Sequence, residues 1–337
     1  FQTKLYTGNS TNNTAITNDG NSDLQPDLIW AKSRSNTHYH DWRDTSRGLT
    51  KRLASNDNGA ESTKDQSYVS FDSDGFTLGD DTDGSGSALN TVNTSSNNYV
   101  AWQWKANGGT TSTNNDGSVA VTLQTNSTAG FSIGTFTGTG DSSGTIGHGL
   151  GAKPDWLVVK RRDGSENWNN IFANFDSKLL RLNTDGASFT GSAINSVGAS
   201  TFTDGNGNNA VFCAFKSIQG YSKFGSYKGN GNADGRFVYT GFKPAWVMFK
   251  RFDSSNDWLI FDNKRNTSNI TEKVIYADTS QAEQDDSQHS GSLDLLSNGF
   301  KMRETGNSGN GNGATYVYVA FAEHPFVSSK GVPVTAR

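Results

Sequence analysis

Short apolar runs, bounded by Gly, Asn, Asp, Ser or Thr, punctuate long polar stretches throughout the chain. In Trp156-Leu-Val-Val-Lys160 and Trp246-Val-Met-Phe-Lys250 both alternation phases are apolar, which predicts strands covered on two faces at the centre of a packed sheet. β-Branched and aromatic side chains suit that backbone, and the proline ahead of each run costs no ladder hydrogen bond at a first strand position. Tyr316-Val-Tyr-Val-Ala-Phe321 predicts another such strand, and Gly75-Phe76 and Gly299-Phe300 read as turns that feed strands. Ile171, Phe175 and Leu179 have i, i+4, i+8 spacing, but 43–50 and 259–265 do not repeat it. Strand and turn are therefore expected there too.

The pattern recurs. Pro26 to Lys32, Pro154 to Lys160 and Pro244 to Lys250 each run from a proline through apolar residues to a lysine six positions on, and these are three of only 5 prolines. Upstream, an aromatic residue precedes a glycine in Phe1/Gly8, Phe131/Gly138 and Tyr221/Gly229. Downstream, a second tryptophan follows a first by twelve residues in Trp30/Trp42, Trp156/Trp168 and Trp246/Trp258, although the first pair is displaced by two residues relative to its proline. Asn56/Ala60, Asn183/Ala187 and Asp278/Ala282 keep one spacing, and Ala101-Trp102, Ala214-Phe215 and Ala320-Phe321 close the units. Three β repeats are expected at 1–106, 118–217 and 218–324, with a polar linker at 107–117 and a C-terminal tail at 325–337. The expected fold class is all-β: three tandem β-sandwich repeats of jelly-roll type. A single closed pseudo-threefold assembly is the alternative architecture.

Composition agrees with many short strands and tight turns: 38 glycines and an aromatic fraction of 11% in 337 residues. A formal net charge of -4 without a basic stripe argues against a nucleic-acid partner, since phosphate binding needs clustered Lys and Arg. Lys160-Arg161-Arg162 reads as a strand end reaching solvent. No apolar run approaches the roughly 18 residues that would span a bilayer, so no membrane insertion is expected. Cys213, the only cysteine, alternates in phase with Val211 and Phe215 and reads as a small buried side chain. No signal peptide is visible, and the start at Phe1 without methionine leaves an upstream segment open.

Trp30, Trp156 and Trp246 fall in two-faced strands and read as core. Trp42, Trp168 and Trp258 lie nearer polar residues such as Asn167 and Asp257 and are the candidate glycan contacts, because an exposed indole face stacks on a sugar ring. Asp80-Asp-Thr-Asp83-Gly-Ser-Gly86 is rich in oxygen ligands but lacks the spacing and glutamate of an EF-hand loop, and reads as a solvated turn. The histidines, His38, His40, His148, His289 and His324, offer one i, i+2 pair and no third ligand nearby, so no metal is expected. No compact pair of glutamates, nucleophile elbow, P-loop or HExxH motif occurs. The expectation is a protein that is not an enzyme and needs no cofactor.

Gly130-Phe-Ser-Ile-Gly-Thr-Phe-Thr-Gly-Thr-Gly140, Gly147-His-Gly-Leu-Gly-Ala-Lys-Pro-Asp-Trp156, Asp44-Thr-Ser-Arg-Gly48, Tyr99-Val-Ala-Trp-Gln-Trp-Lys105 and the ending from Phe321 to Arg337 resemble a family of tailed-bacteriophage virion proteins, many from marine phages, built from repeated all-β domains. That resemblance implies a lectin-like sandwich fold and a structural protein of the virion exterior, most simply a tail appendage or fibre that contacts host-surface polysaccharide. Its partners would be other virion proteins and further copies of itself, a trimer by analogy. A capsid decoration protein is the alternative, with a glycan depolymerase less favoured. Ala245 stands where the other units have Asp27 and Asp155, which speaks against a ligand role common to all three.

Overall fold

A computed structural model describes residues 1–82, 91–141, 143–175, 178–191, 194–285 and 292–322. The expected tail at 325–337, His289, His324 and the second half of the Asp80–Gly86 loop lie outside the described residues.

The chain is all-β. Its first stretch forms β1 (Gln2–Thr7), β2 (Thr14–Ile16), β3 (Leu28–Ser33), β4 (Asp41–Asp44), β5 (Lys51–Arg52), β6 (Ser62–Thr63), β7 (Tyr68–Asp72), β8 (Gly75–Leu78) and β9 (Asn98–Trp104). Next come β10 (Ser112–Asn114), β11 (Val121–Asn126), β12 (Phe131–Thr137), β13 (Thr145–Gly147), β14 (Trp156–Arg161), β15 (Asn169–Phe172), β16 (Leu180–Arg181), β17 (Ile194–Asn195), β18 (Thr201–Asp204) and β19 (Asn209–Phe215). The last stretch forms β20 (Ser222–Lys228), β21 (Phe237–Tyr239), β22 (Pro244–Arg251), β23 (Trp258–Asp262), β24 (Lys273–Tyr276), β25 (Gln284–Asp285), β26 (Leu293–Leu296), β27 (Gly299–Met302) and β28 (Thr315–Ala322). A 3₁₀ turn occupies Ala173–Phe175, inside the stretch whose spacing mimicked a longer helix.

Each stretch contributes a large and a small sheet. The large ones run β1-β9-β3-β4, β10-β11-β12-β19-β14-β15-β16 and β20-β28-β22-β23-β24-β25. The small ones run β2-β8-β7, β13-β18-β17 and β21-β27-β26, and β5-β6 forms a separate ribbon. In the large sheets β1 pairs with the closing β9, β12 with the closing β19 and β20 with the closing β28, and the Pro-to-Lys strand lies on the other side of that closing strand.

Two-faced strands have two cores to serve. On one face, Ile29, Ala31, Tyr99 and Ala101 pack against Phe76 and Leu78 of the small sheet, and the other two stretches do the same around Phe202 and Phe300. The opposite faces of all three large sheets meet in one shared core that contains Leu28, Trp30, Trp102 and Trp104 with Trp156, Phe215, Trp246 and Phe321. All eight tryptophans rank among the largest fully buried side chains. Burial of this kind contributes about 1.5–3 kcal/mol per large apolar side chain, and here it joins all three sheets.

Three backbone hydrogen bonds close the circle. Glu61 N donates to Arg162 O at 2.8 Å, Ser188 N to Phe252 O at 2.9 Å, and Glu283 N to Arg34 O at 3.0 Å. The first joins the first stretch to the second, the next the second to the third, and the last the third back to the first. The three large sheets therefore form one ring around the shared core.

Two expectations need correction. Residues 107–117 are not a free linker: β10 pairs with β11, and the amides of Ala106, Gly108 and Gly109 donate to the buried Asp27 carboxylate at 2.6–2.9 Å. Matching the first stretch by its tryptophans also gives a register two residues out. Leu28 pairs with Trp104 as Trp156 pairs with Phe215 and Trp246 with Phe321. The proline-to-lysine frame was the physical one.

Candidate functional site

The residue that occupies the place of Trp168 and Trp258 in the first stretch is His40. His40 N donates to Asn56 Oδ1 at 2.9 Å, Trp168 N to Asn183 Oδ1 at 2.9 Å, and Trp258 N to Asp278 Oδ1 at 3.0 Å. Each ring then reaches a carbonyl of the neighbouring stretch. Trp168 Nε1 donates to Ala54 O at 2.8 Å, Trp258 Nε1 to Arg181 O at 2.9 Å, and His40 Nε2 lies 2.9 Å from Tyr276 O. Trp30 Nε1 donates to His40 Nδ1 at 2.8 Å, so the His40 proton resides on Nε2 and is given to Tyr276.

Trp42, Trp168 and Trp258 are thus not the surface contacts the sequence suggested. Their relative exposures are 1%, 1% and 0%, and an indole with both faces packed cannot stack on a sugar. Trp42 packs on Trp168 with ring centroids 5.1 Å apart, and its Nε1 has no hydrogen-bond partner among the described residues. Polar neighbours in the sequence misled because they serve the backbone around these rings.

The ionisable groups gathered at the ring's joints have structural partners. Glu61 takes Arg47 Nη1 at 2.9 Å and Arg162 at 2.9 and 3.0 Å. Glu283 takes Arg34 at 2.8 and 2.9 Å and Arg265 Nη1 at 3.4 Å. Burial alone would raise the Glu61 pKa, but its two arginines outweigh that and hold it below the usual range. At the third joint Phe175 and Phe252 stack at 4.0 Å instead.

The three frame lysines lie behind these joints. Lys32 Nζ donates to Ser33 O, Lys160 Nζ to Arg161 O and Asn58 O, and Lys250 Nζ to Arg251 O and Asp185 O. Burial lowers their pKa values to about 7, about 8 and about 8. Asp278 is pushed well above the normal carboxylate range by burial and by the charge of Asp257. In the second stretch Asn183 and Asn167 hold the same two places, joined by an amide hydrogen bond of 2.8 Å. In the third stretch Asp257, its pKa also raised by burial, is hydrogen-bonded to the Asp278 side chain, so a carboxyl pair stands where the second stretch has an amide pair. Among the described residues no three His, Cys, Asp or Glu side chains gather to hold a metal ion.

An exposed constellation lies elsewhere, and sequence reading missed it. Phe237 and Tyr239, on β21 at the edge of its small sheet, are 44% and 65% exposed, while Val238 between them points into the core at 7%. Beside Tyr239 a cleft of about 310 Å³ opens toward β20, lined by Ser217, Gln219, Ser222, Lys223, Thr240 and Gly241. The signal available was the pair Phe237 and Tyr239 at i, i+2 flanking Val238 in a mostly polar, glycine-rich run, Asn230 to Gly241. It was hidden by the larger tryptophans.

Large sheets joined around a tryptophan core, each packed against a small sheet, define an all-β protein of several sheets whose charged clusters serve its joints. The chain belongs to the family described as Domain of unknown function (DUF7483), whose model matches residues 1–325. No curated protein and no solved structure matches it.

Proposed function

We propose that the chain is a non-enzymatic structural protein of the exterior of a tailed-phage particle, a tail appendage or fibre that touches host-surface glycan, built from three copies of one sandwich module. The observation that carries this reading is the ring itself. Three sheets of one strand order share a core, every tryptophan faces inward, and neighbouring stretches are tied through equivalent backbone bonds. Such a body resists deformation and leaves its small sheets and polar loops free to meet partners. The resemblance of Gly147–Trp156 and Tyr99–Lys105 to virion proteins supplies the setting. Assembly with other virion proteins and with further copies of the chain, a trimer by analogy, would multiply weak glycan contacts through avidity.

Adsorption competition tests this. Purified protein is added to susceptible cells, and both its binding and the residual phage adsorption are measured. Dose-dependent binding that blocks adsorption is expected. Folded, oligomeric protein that neither binds cells nor blocks phage would contradict host contact and favour a capsid decoration role, which co-purification with tail-free heads would then reveal.

A further inference from the structure

β21 departs from its two counterparts in what it exposes. Phe76, Phe202 and Phe300 mark one position in the three small sheets, facing Ile16, Ile146 and Val238. One residue to the N-terminal side stand Ala15, Thr145 and Phe237, and one to the C-terminal side Thr17, Gly147 and Tyr239. Only the third small sheet has aromatic rings at these outward places. Neither ring is needed for the core, because Val238 already fills it.

Each ring lies against a glycine. Gly299 lies beneath Phe237, where any Cβ would meet the ring at 2.9 Å, and Gly241, with φ +87°, lies beside the Tyr239 ring. Two residues along a strand span about 7 Å and share a face, so the rings can meet adjacent units of one chain-like ligand. Aromatic side chains of this kind give large contact area at small entropic cost.

The adjoining cleft has free polar groups. The Tyr239 hydroxyl, the Gln219 amide and the Lys223 ammonium have no hydrogen-bond or ion-pair partner among the described residues. Lys223 is the one charged group in the lining, and no carboxylate joins it. Lys301, opposite Phe237 in the ladder, is already paired with Asp234.

We propose that Phe237, Tyr239 and the cleft beside them form a binding site for an acidic oligosaccharide. The aromatic faces take the C–H faces of the sugar rings. Gln219 and the Tyr239 hydroxyl bind sugar hydroxyls, and Lys223 binds a sugar carboxylate through a charge-assisted hydrogen bond. The site rests on the host-contact reading only for where the sugar is met.

The test uses the full chain, with hexagalacturonate as the acidic probe and cellohexaose as the neutral one, titrated by calorimetry and checked by saturation-transfer NMR. Hexagalacturonate is expected to bind. Tyr239→Ala and Phe237→Ala should each weaken it about tenfold, a loss of about 1.4 kcal/mol. Lys223→Ala should weaken hexagalacturonate and leave cellohexaose unaffected, and Val69→Ala, at an exposed position on another sheet, should change neither. Absence of hexagalacturonate binding in the millimolar range, binding unaltered by Tyr239→Ala, or tighter binding of cellohexaose would overturn the site. A positive titration without blocked phage adsorption would keep the site and remove the host-contact reading. Blocked adsorption with no loss in Tyr239→Ala titrations would do the reverse.

Discussion

Trp168 shows how a side chain with the chemistry of a ligand contact becomes a structural member. Its indole N–H spans the joint to Ala54 and Asp57 while its ring packs on Trp42. Trp168→Phe keeps an aromatic ring but removes the donor and part of the packing, leaving two carbonyls without it. A loss of about 2–4 kcal/mol is expected, read by urea denaturation with unchanged slope. A change within about 0.5 kcal/mol, the range of ordinary surface substitutions, would show that the joint does not depend on this ring. Other residues were legible in the sequence for reasons the structure makes plain. Gly8, Gly138 and Gly229 recur because a Cβ there would collide with the carbonyls of Thr94, Asn206 and Gly311. Cys213 is buried in the shared core, as its phase with Val211 and Phe215 implied. His40 was not legible as the counterpart of a tryptophan, because its equivalence is a matter of hydrogen bonds and not of side-chain type.

At the scale of elements, the Pro-to-Lys runs gave their strands plainly, since two apolar phases require two cores. What that periodicity could not reveal was the second core's origin: for each large sheet it comes from the other two. The joints between elements were hidden for a similar reason. Glu61 and Arg162, or Glu283 and Arg34, are separated by most of a unit or more, and no local pattern links them. One joint also carries a pH dependence. Burial, then the charge of Lys32, pushes the His40 pKa well below its usual 6.5, and its Nδ1 must stay unprotonated to accept from Trp30. Unfolded chain takes up that proton as pH falls through about 6.5, whereas folded chain does not. The stability from a neutral His40 is therefore fully present above that pH and lost below it. Between pH 6.5 and 5 the native protein should lose about 2 kcal/mol more than His40→Gln, by chemical denaturation at each pH. Parallel profiles would mean that His40 titrates alike in both states.

For the whole molecule, the central claim is closure: three large sheets around one tryptophan core, tied in a circle, behave as one body. Composition and repetition pointed to three units, but whether such units hang in a string or close on one another depends on faces far apart in sequence. Differential scanning calorimetry of the full chain examines this directly. A single endotherm is expected, with calorimetric and van't Hoff enthalpies equal, and Arg162→Ala at one joint should shift the entire transition to lower temperature. Two or three separable transitions, only one of them moved by Arg162→Ala, would contradict closure and describe a string of independent modules.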